Sequence, residues 1–498
     1  MESLSQLNAL KFWPQSLVGT EQAEVGLVQA PAVPRLAILA ATGWPGLEGF
    51  DGEASQRAEQ TLLIGPTSPR NAAALRAHLE WLRPRLLGLR TSAGLGDRLG
   101  LATPGHVRAV RSAGGRIAPI FAQQSIREMT RTERTPQQVM DDALWGVFQE
   151  GWRGGFGADA DHLKTPADVD ACVAAGYTFF TIDPGDHVDN QADSASLFAL
   201  RAAVEQLPPD VQPRASGLLG CSFQIEGHAL TFDEATLFRA AAKYSRAVAH
   251  VAAMYRHLRQ AAGDRPFELE VSVDETDTPT TPAEHFYFAS ELRRLGVQWV
   301  SLAPRYVGRF EKGVDYISPD GKIGETGAFA ADFAIHAAIA RQLGPYKLSL
   351  HSGSDKFSVY AIAAQATQGL VHLKTAGTSY LEALRAVAAV APELFREIYA
   401  FARERYETDR VSYHVSARLD RAPLPDVVAE ADLPALLDQF DSREILHIAF
   451  GSVLTARTPA GERRFHTRLM ELLRVQSERY AANLEAHFLR HLRPFEPR

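Results

Sequence analysis

Short apolar runs recur along the chain, each followed by a turn and, in most cases, by a segment of helical period. The runs are LLGLRT (86–91), IAPIF (117–121), GFGADAD (155–161), TFFTID (178–183), FELEVSV (267–273), VQWVSLA (297–303), KLSLHS (347–352) and LVHLK (370–374). Helical patterns follow the second, third, fifth, sixth and seventh runs. Thr165-Pro166 and Thr281-Pro282 read as helix starts, with proline at the first helical position. Gly176, Gly296, Gly344 and Gly369 read as helix stops. Strands alternating with helices predict a parallel sheet, and this many units predict an α/β fold of the (β/α)8, TIM-like barrel type.

The strand faces favour a closed barrel over an open doubly wound sheet. An open sheet buries both faces against helices, and its strands are apolar throughout. Here Leu348 and Leu350 alternate with Ser349 and His351. Leu269, Val271 and Val273 likewise alternate with Glu268, Glu270, Ser272 and Asp274. Polar residues on one face of several strands suit a barrel lumen. The predicted organisation is an N-terminal β-containing extension over 1–85, a catalytic barrel over 86–380 and a helical C-terminal extension over 381–498. Residues 184–266 read as an insertion after the fourth strand. Runs at 35–44 and 61–65 supply the strands of the N-terminal extension.

Composition narrows the class. A net charge of -7 gives no electrostatic case for nucleic acid or an anionic membrane. The N-terminus lacks a basic flank before an apolar core, and no apolar run reaches the ~20 residues of a membrane helix. Cys172 and Cys221 are far apart and form no CxxC pattern, so neither a disulfide framework nor a thiolate metal site is expected. The expectation is a cytoplasmic protein acting on a small molecule, with the 184–266 insertion a candidate lid or homo-oligomer contact.

A barrel carries its chemistry at the C-terminal ends of its strands. Those positions hold Asp159, Asp161, His162 and Lys164 on the third strand, and Asp183, Asp186 and His187 on the fourth. The fifth gives Glu270, Asp274 and Glu275, and the sixth Arg305. The seventh gives His351, Ser354, Asp355 and Lys356, and the eighth His372 and Lys374. Histidines converging with carboxylates suit a divalent cation with N/O ligands, and His162, His351 and His372 are the expected ligands. Zinc, manganese and nickel are candidates. A lone histidine at a strand end is as readily a hydrogen-bonding loop residue. His250, His257 and His336 lie in helical patterns and read as structural, while His414 and His447 are left unassigned. Glu270, in mid-strand between apolar neighbours, must be paired, protonated or metal-bound. Lys164, Arg305, Asp355, Lys356 and Lys374 are candidate substrate contacts, the cations suiting an anionic ligand. Gly94-x-Gly96 and Gly100 match neither a P-loop nor a dinucleotide fingerprint, so no nucleotide is assigned.

Four of these stretches, GDRLGLATPGH (96–106), GADADHLKT (157–165), EVSVDETDTPTTPAEH (270–285) and LHSGSDKFSVY (350–360), together resemble the tagaturonate–fructuronate epimerase family of bacterial hexuronate metabolism. The family often continues the last motif with proline where this chain has Ala361. The resemblance implies a metal-dependent epimerase of a ketouronate. Its two substrates differ at C4 and carry the ketone at C2, which acidifies the C3 proton and not the C4 proton. Inversion is therefore expected by retro-aldol cleavage of C3–C4, rotation of the aldehyde and re-addition. Asp161 is the expected proton acceptor and Glu270 the donor, with Asp274 or Glu275 as substitutes. A metal-dependent aldose–ketose isomerase would use the same fold and residue types, a glycosidase would use paired carboxylates without metal, and a binding protein would bind without turnover.

Overall fold

The computed structural model describes residues 3–30 and 33–496. Eight parallel strands close into a barrel: β1 (Ser92–Gly94), β2 (Ala118–Ser125), β3 (Gly157–Leu163), β4 (Phe179–Ile182), β5 (Glu268–Val273), β6 (Ser301–Pro304), β7 (Lys347–Leu350) and β8 (Val371–Lys374). Each pairs in parallel with its neighbours, and β8 closes on β1 through His372 beside Ser92 and Lys374 beside Gly94. The expected alternation holds. Leu269, Val271, Leu348 and Leu350 pack outward in the main apolar core, while Glu270, His351 and Lys374 meet inside the barrel.

The helices around the barrel are α1 (Thr103–Ser112), α2 (Pro136–Gln149), α3 (Pro166–Ala175), α4 (Glu234–Ala262), α5 (Pro282–Arg294), α6 (Gly327–Leu343), α7 (Phe357–Thr367) and α8 (Thr378–Val390). The predicted caps form. Thr165 and Thr281 each accept from the backbone N–H three residues on, and Asp168 and Glu284 return the bond, closing capping boxes over α3 and α5. Loss of such a cap costs ~1 kcal/mol.

The structure departs from the sequence reading at two elements. The run at 86–91 is not a strand: the backbone N–H groups of Leu87 and Gly88 donate to the Glu268 carboxylate at the barrel floor, and the first strand is the small-residue stretch that follows. A Cβ at Gly94 would lie 2.9 Å from Gln123 Cγ, so small residues are what let β1 pack there. The stretch 184–266 is also not all insertion. Its long helix, α4, is the barrel's own fourth helix and packs between α3 and α5. The part that departs from the barrel pattern holds the helix Leu197–Glu205 and the hairpin of Ser222–Ile225 with His228–Thr231, gathered around a small apolar cluster shared with α4, α5 and α6.

Before the barrel lies a five-stranded antiparallel sheet built around Arg35–Ala41 and Gln60–Pro66. After it come α9 (Pro392–Asp409), α10 (Phe440–Ile448), α11 (His466–Val475) and α12 (Ser477–Leu492). α12 lies along α1 and α8, which brings the C-terminal helices to the loop that follows β7. No helix among the described residues is long and apolar enough to cross a membrane.

Candidate active site

The barrel lumen is charged. Lys374 Nζ lies 2.9 Å from Asp159 Oδ2, 2.6 Å from Asp161 Oδ1 and 2.8 Å from Glu270 Oε1, and it donates to Thr181 Oγ1 at 2.7 Å. One ammonium thus faces three buried carboxylates. Burial opposes the charge of Lys374, Asp161 and Glu270, and mutual attraction outweighs it. Lys374 is held well above the ordinary lysine range, with Asp159, Asp161 and Glu270 as the cause. Asp161 and Glu270 are held well below the carboxylate range by Lys374 and the nearby histidines. Glu270 Oε2 is buried and makes no hydrogen bond among the described residues.

Above Lys374, two histidines face each other, His162 from β3 and His351 from the end of β7. Their ring centroids are 5.0 Å apart at 78°. Pairing between β3 and β4 shifts register between Ala160 and Leu163, and His162 takes φ 52°. The bulge turns His162 into the mouth beside Asp161, where strict alternation would send it outward. Left-handed backbone at a non-glycine residue is strain of the kind concentrated at functional sites. Asp183 at the end of β4 fixes the ring: its Oδ2 lies 3.1 Å from His162 Nδ1, while its Oδ1 accepts the Gly185 N–H. His351 sits between two carboxylates, with Nε2 2.6 Å from Glu270 Oε1 and Nδ1 3.2 Å from Asp274 Oδ1. Burial opposes protonation of both rings, and the surrounding carboxylates reverse that, raising His162 to about 9 and His351 to about 10.

One ligand atom each from Asp161, His162 and His351 falls within 4.8 Å of the others. The set fits a divalent cation on its chemistry. It offers one carboxylate oxygen and two imidazole nitrogens, a catalytic pattern with positions left for water or substrate. His162 Nδ1 is held by a carboxylate, the arrangement that aims the other ring nitrogen at a metal. A metal and a proton compete for the same imidazole lone pair, and the acid-rich lumen attracts either.

A second group, Asp355, His487 and His491, lies between the loop after β7 and α12. Its members are tied to one another and to the backbone. His491 Nε2 accepts the Asp355 backbone N–H at 3.0 Å and Nδ1 faces the His487 carbonyl at 3.2 Å, so both ring nitrogens are committed. Burial lowers this histidine to about 3. Asp355 is an anchor, 2.9 Å from Arg443 and 2.7 Å from His487.

The expected site residues divide accordingly. Asp161, His162, Glu270, His351 and Lys374 converge on the lumen mouth. His372 does not join the other two histidines at the rim. It is fully buried one layer deeper, where Nδ1 lies 2.9 Å from Ser92 Oγ and the ring packs against Phe179. The cause is register: His372 sits beside Ser349, two residues below His351. Lys356 also points elsewhere, its Nζ donating to the carbonyls of Glu311, Val314 and Ser354. Lys164 lies at the exposed rim against Asp186, and Arg305 donates to the Thr276 carbonyl on the wall of a cavity of about 240 Å³ beside His351. Lys374 and His351 hold Glu270, the expected proton donor, well below the usual carboxylate range.

Sequence reasoning missed Arg127, Lys312, Ser352 and Tyr413, which come from the short helix after β2, from loops and from the C-terminal extension to frame the same mouth. Strand-end position gave no signal for them. Asp97 was passed over as well. Its carboxylate accepts the N–H groups of Leu99, Gly100 and Ala102, folding the glycine-bearing loop after β1 onto itself.

A (β/α)8 barrel with a carboxylate–bis-imidazole group over an ionised lumen defines an enzyme whose chemistry sits at the C-terminal rim. The sequence profile of the tagaturonate epimerase family (UxaE) matches residues 13–495, and the chain belongs to that family of carbohydrate epimerases. A Thermotoga maritima protein named tagaturonate/fructuronate epimerase is 44% identical over 456 residues, covering 91% of each chain. A glycerol-complexed crystal structure of fructuronate-tagaturonate epimerase UxaE from Cohnella laeviribosi matches with TM-score 0.91 at 38% identity, covering 99% of this chain and 97% of that one. The native crystal structure of that protein matches with the same TM-score at 37% identity.

Proposed function

We propose that the protein interconverts D-tagaturonate and D-fructuronate by inverting C4, and that it does so with a divalent metal and retro-aldol chemistry. The observation that carries this reading is the convergence of Asp161, His162 and His351 over an ionised lumen, in a chain aligned nearly end to end with relatives named for that reaction. The two free cysteines, Cys172 and Cys221, support a reducing compartment, the cytoplasm.

Asp161, His162 and His351 would hold the ion. A divalent cation supplies Lewis acidity that steadies negative charge developing on the C2 oxygen. Asp161 thereby passes from the proton-acceptor role to the ligand set.

Glu270 and Lys374 then handle the proton, a carboxylate and an ammonium 2.8 Å apart on β5 and β8. Glu270 takes the C4 hydroxyl proton as the C3–C4 bond breaks. The bonding pair moves into the C2–C3 enediolate and C4 becomes an aldehyde. After the aldehyde turns, C3 adds to its other face, and the new C4 alkoxide takes a proton from Lys374. Glu270 passes its proton to Lys374 and the pair is restored. Holding the carboxylate low and the amine high keeps both in their starting states at neutral pH.

The test is turnover of purified protein on each ketouronate, with the C4 epimer identified by NMR. Formation of the epimer without exchange of the C4 hydrogen with solvent supports cleavage of C3–C4. Exchange at C4, or no epimer from either ketouronate, overturns the reading.

A further inference from the structure

Most cations around the mouth are already spoken for. Arg98 pairs with Glu128 at 2.6 Å, Arg127 with Glu275 at 2.7 Å, and Lys374 with its three carboxylates. Lys356 is consumed by carbonyls. Lys312, in the loop between β6 and α6, differs. Its Nζ donates to Ser352 Oγ at 2.6 Å, and among the described residues no carboxylate lies within ion-pair distance of it. Burial lowers its affinity for the proton, with the more distant Glu275 working the other way.

Its position is equally particular. Lys312 and Ser352 line the small recess that holds Asp161, His162 and Lys374, and also the wider cavity of about 240 Å³ that holds Asp274, Glu275 and Arg305. The pair therefore stands where a chain of carbons leaving the ligand group enters the wider space. Ser352 directly follows His351 and takes φ 48°. Its hydroxyl accepts from Lys312 and keeps its own O–H to donate.

Most of the lumen repels an anion. Asp159, Asp161, Asp183, Glu270, Asp274 and Glu275 crowd it, so an acidic sugar needs its carboxylate drawn to one place and kept from the rest. A partly desolvated ammonium with no counter-ion is costly until an anion arrives, and a hydroxyl beside it offers the second oxygen a donor.

We infer that Lys312 and Ser352 form the seat for the substrate carboxylate and make the enzyme select sugar acids over neutral sugars. This rests on the ketouronate reading above and names the group that recognises the acid end. Arg305 lines the wider cavity but not the small recess, and donates to the Thr276 carbonyl, so it is not that group.

The experiment is calorimetric titration of wild type, Lys312→Met, Lys312→Arg and Arg305→Met, each loaded with the same divalent metal. The titrants are the ketouronate and the neutral ketohexose in which CH₂OH replaces its carboxylate. Steady-state kinetics on the same proteins run alongside, with thermal unfolding as the check on fold. Loss of a charge-assisted contact predicts ~10-fold to 100-fold weaker ketouronate binding in Lys312→Met, with KM rising in step. The expected kcat stays within about threefold, affinity for the neutral sugar is unchanged, and Lys312→Arg recovers most of the loss. Equal weakening toward both sugars, or loss confined to Arg305→Met, overturns the assignment. Wild type that binds ketouronate but produces no epimer defeats the parent reading alone, because the binding contrast still decides on the carboxylate seat.

Discussion

Asp183 Oδ2 lies 3.1 Å from His162 Nδ1 and ties the ring of one strand's end to the carboxylate of the next. Because Asp183 is itself held by the Gly185 N–H, the pair fixes both the tautomer and the direction of His162. Carboxylates behind metal-bound imidazoles typically contribute ~10–100-fold to affinity. Asp183→Asn should weaken divalent-metal binding by that order while leaving the unfolding temperature close to wild type. Competition against a chromophoric chelator measures it, and unchanged affinity would show that Asp183 only shapes the loop.

Glu270 should behave differently from the ligands. Glu270→Gln keeps the volume of the side chain and removes the proton acceptor, so turnover should fall ~10²–10⁴-fold while metal content persists. Lys374→Met should lower turnover likewise, and it also leaves three carboxylates without their cation, so its loss of thermal stability should exceed that of Glu270→Gln. Near-normal turnover in either variant would move proton transfer to Asp274 or Glu275.

The C-terminal helices reach the site through Asp355. Arg443 on α10 and His487 on α12 both grip this carboxylate, four residues beyond His351, and burial is outweighed so that Asp355 is held well below the carboxylate range. Asp355→Ala should cost ~3–5 kcal/mol, since Arg443 and His487 lose the buried carboxylate they share and Arg443 keeps only carbonyl bonds and the more distant Glu382. Denaturant unfolding reads this directly, and a loss under ~1 kcal/mol would mean the clamp is dispensable.

A pH effect on stability should come from Glu444 on α10. Burial and the nearby Glu311 raise it to about 8, while the N–H groups of Ser416 and Ala417 work in the opposite direction. A carboxyl raised on folding stabilises the fold while protonated, so its contribution is present below pH ~4.5 and is lost as pH rises toward 8. Glu444→Gln should flatten the fall in unfolding temperature between pH 5 and 8. A slope identical to wild type would place the titration elsewhere.

The barrel could be read from sequence because alternation along β5 and β7 shows up as single residues: Glu270 between leucine and valine, His351 after Leu350. The first strand was misplaced because Ser92, Ala93 and Gly94 carry almost no hydrophobic signal, while Leu86, Leu87 and Leu89 carry one although only Leu87 is buried. The three histidines were legible as strand-end residues, but their height along the barrel was not. Register sets His372 beside Ser349, below the rim, and register follows from pairing across 280 residues of chain, from Ser92 to His372. Lys312 and Tyr413 lie on irregular segments brought in by tertiary packing, where no period marks a residue for function.

The central claim is that Asp161, His162 and His351 hold a divalent ion the epimerisation needs. The most direct measurement is metal content by mass spectrometry together with ketouronate epimerisation, on protein as purified, after chelation, after divalent-metal return, and for His351→Ala. About one ion per chain is predicted, with activity abolished by chelation and restored by metal. His351→Ala should be folded, metal-poor and inactive. Full epimerase activity in chelated protein holding no metal would contradict the account.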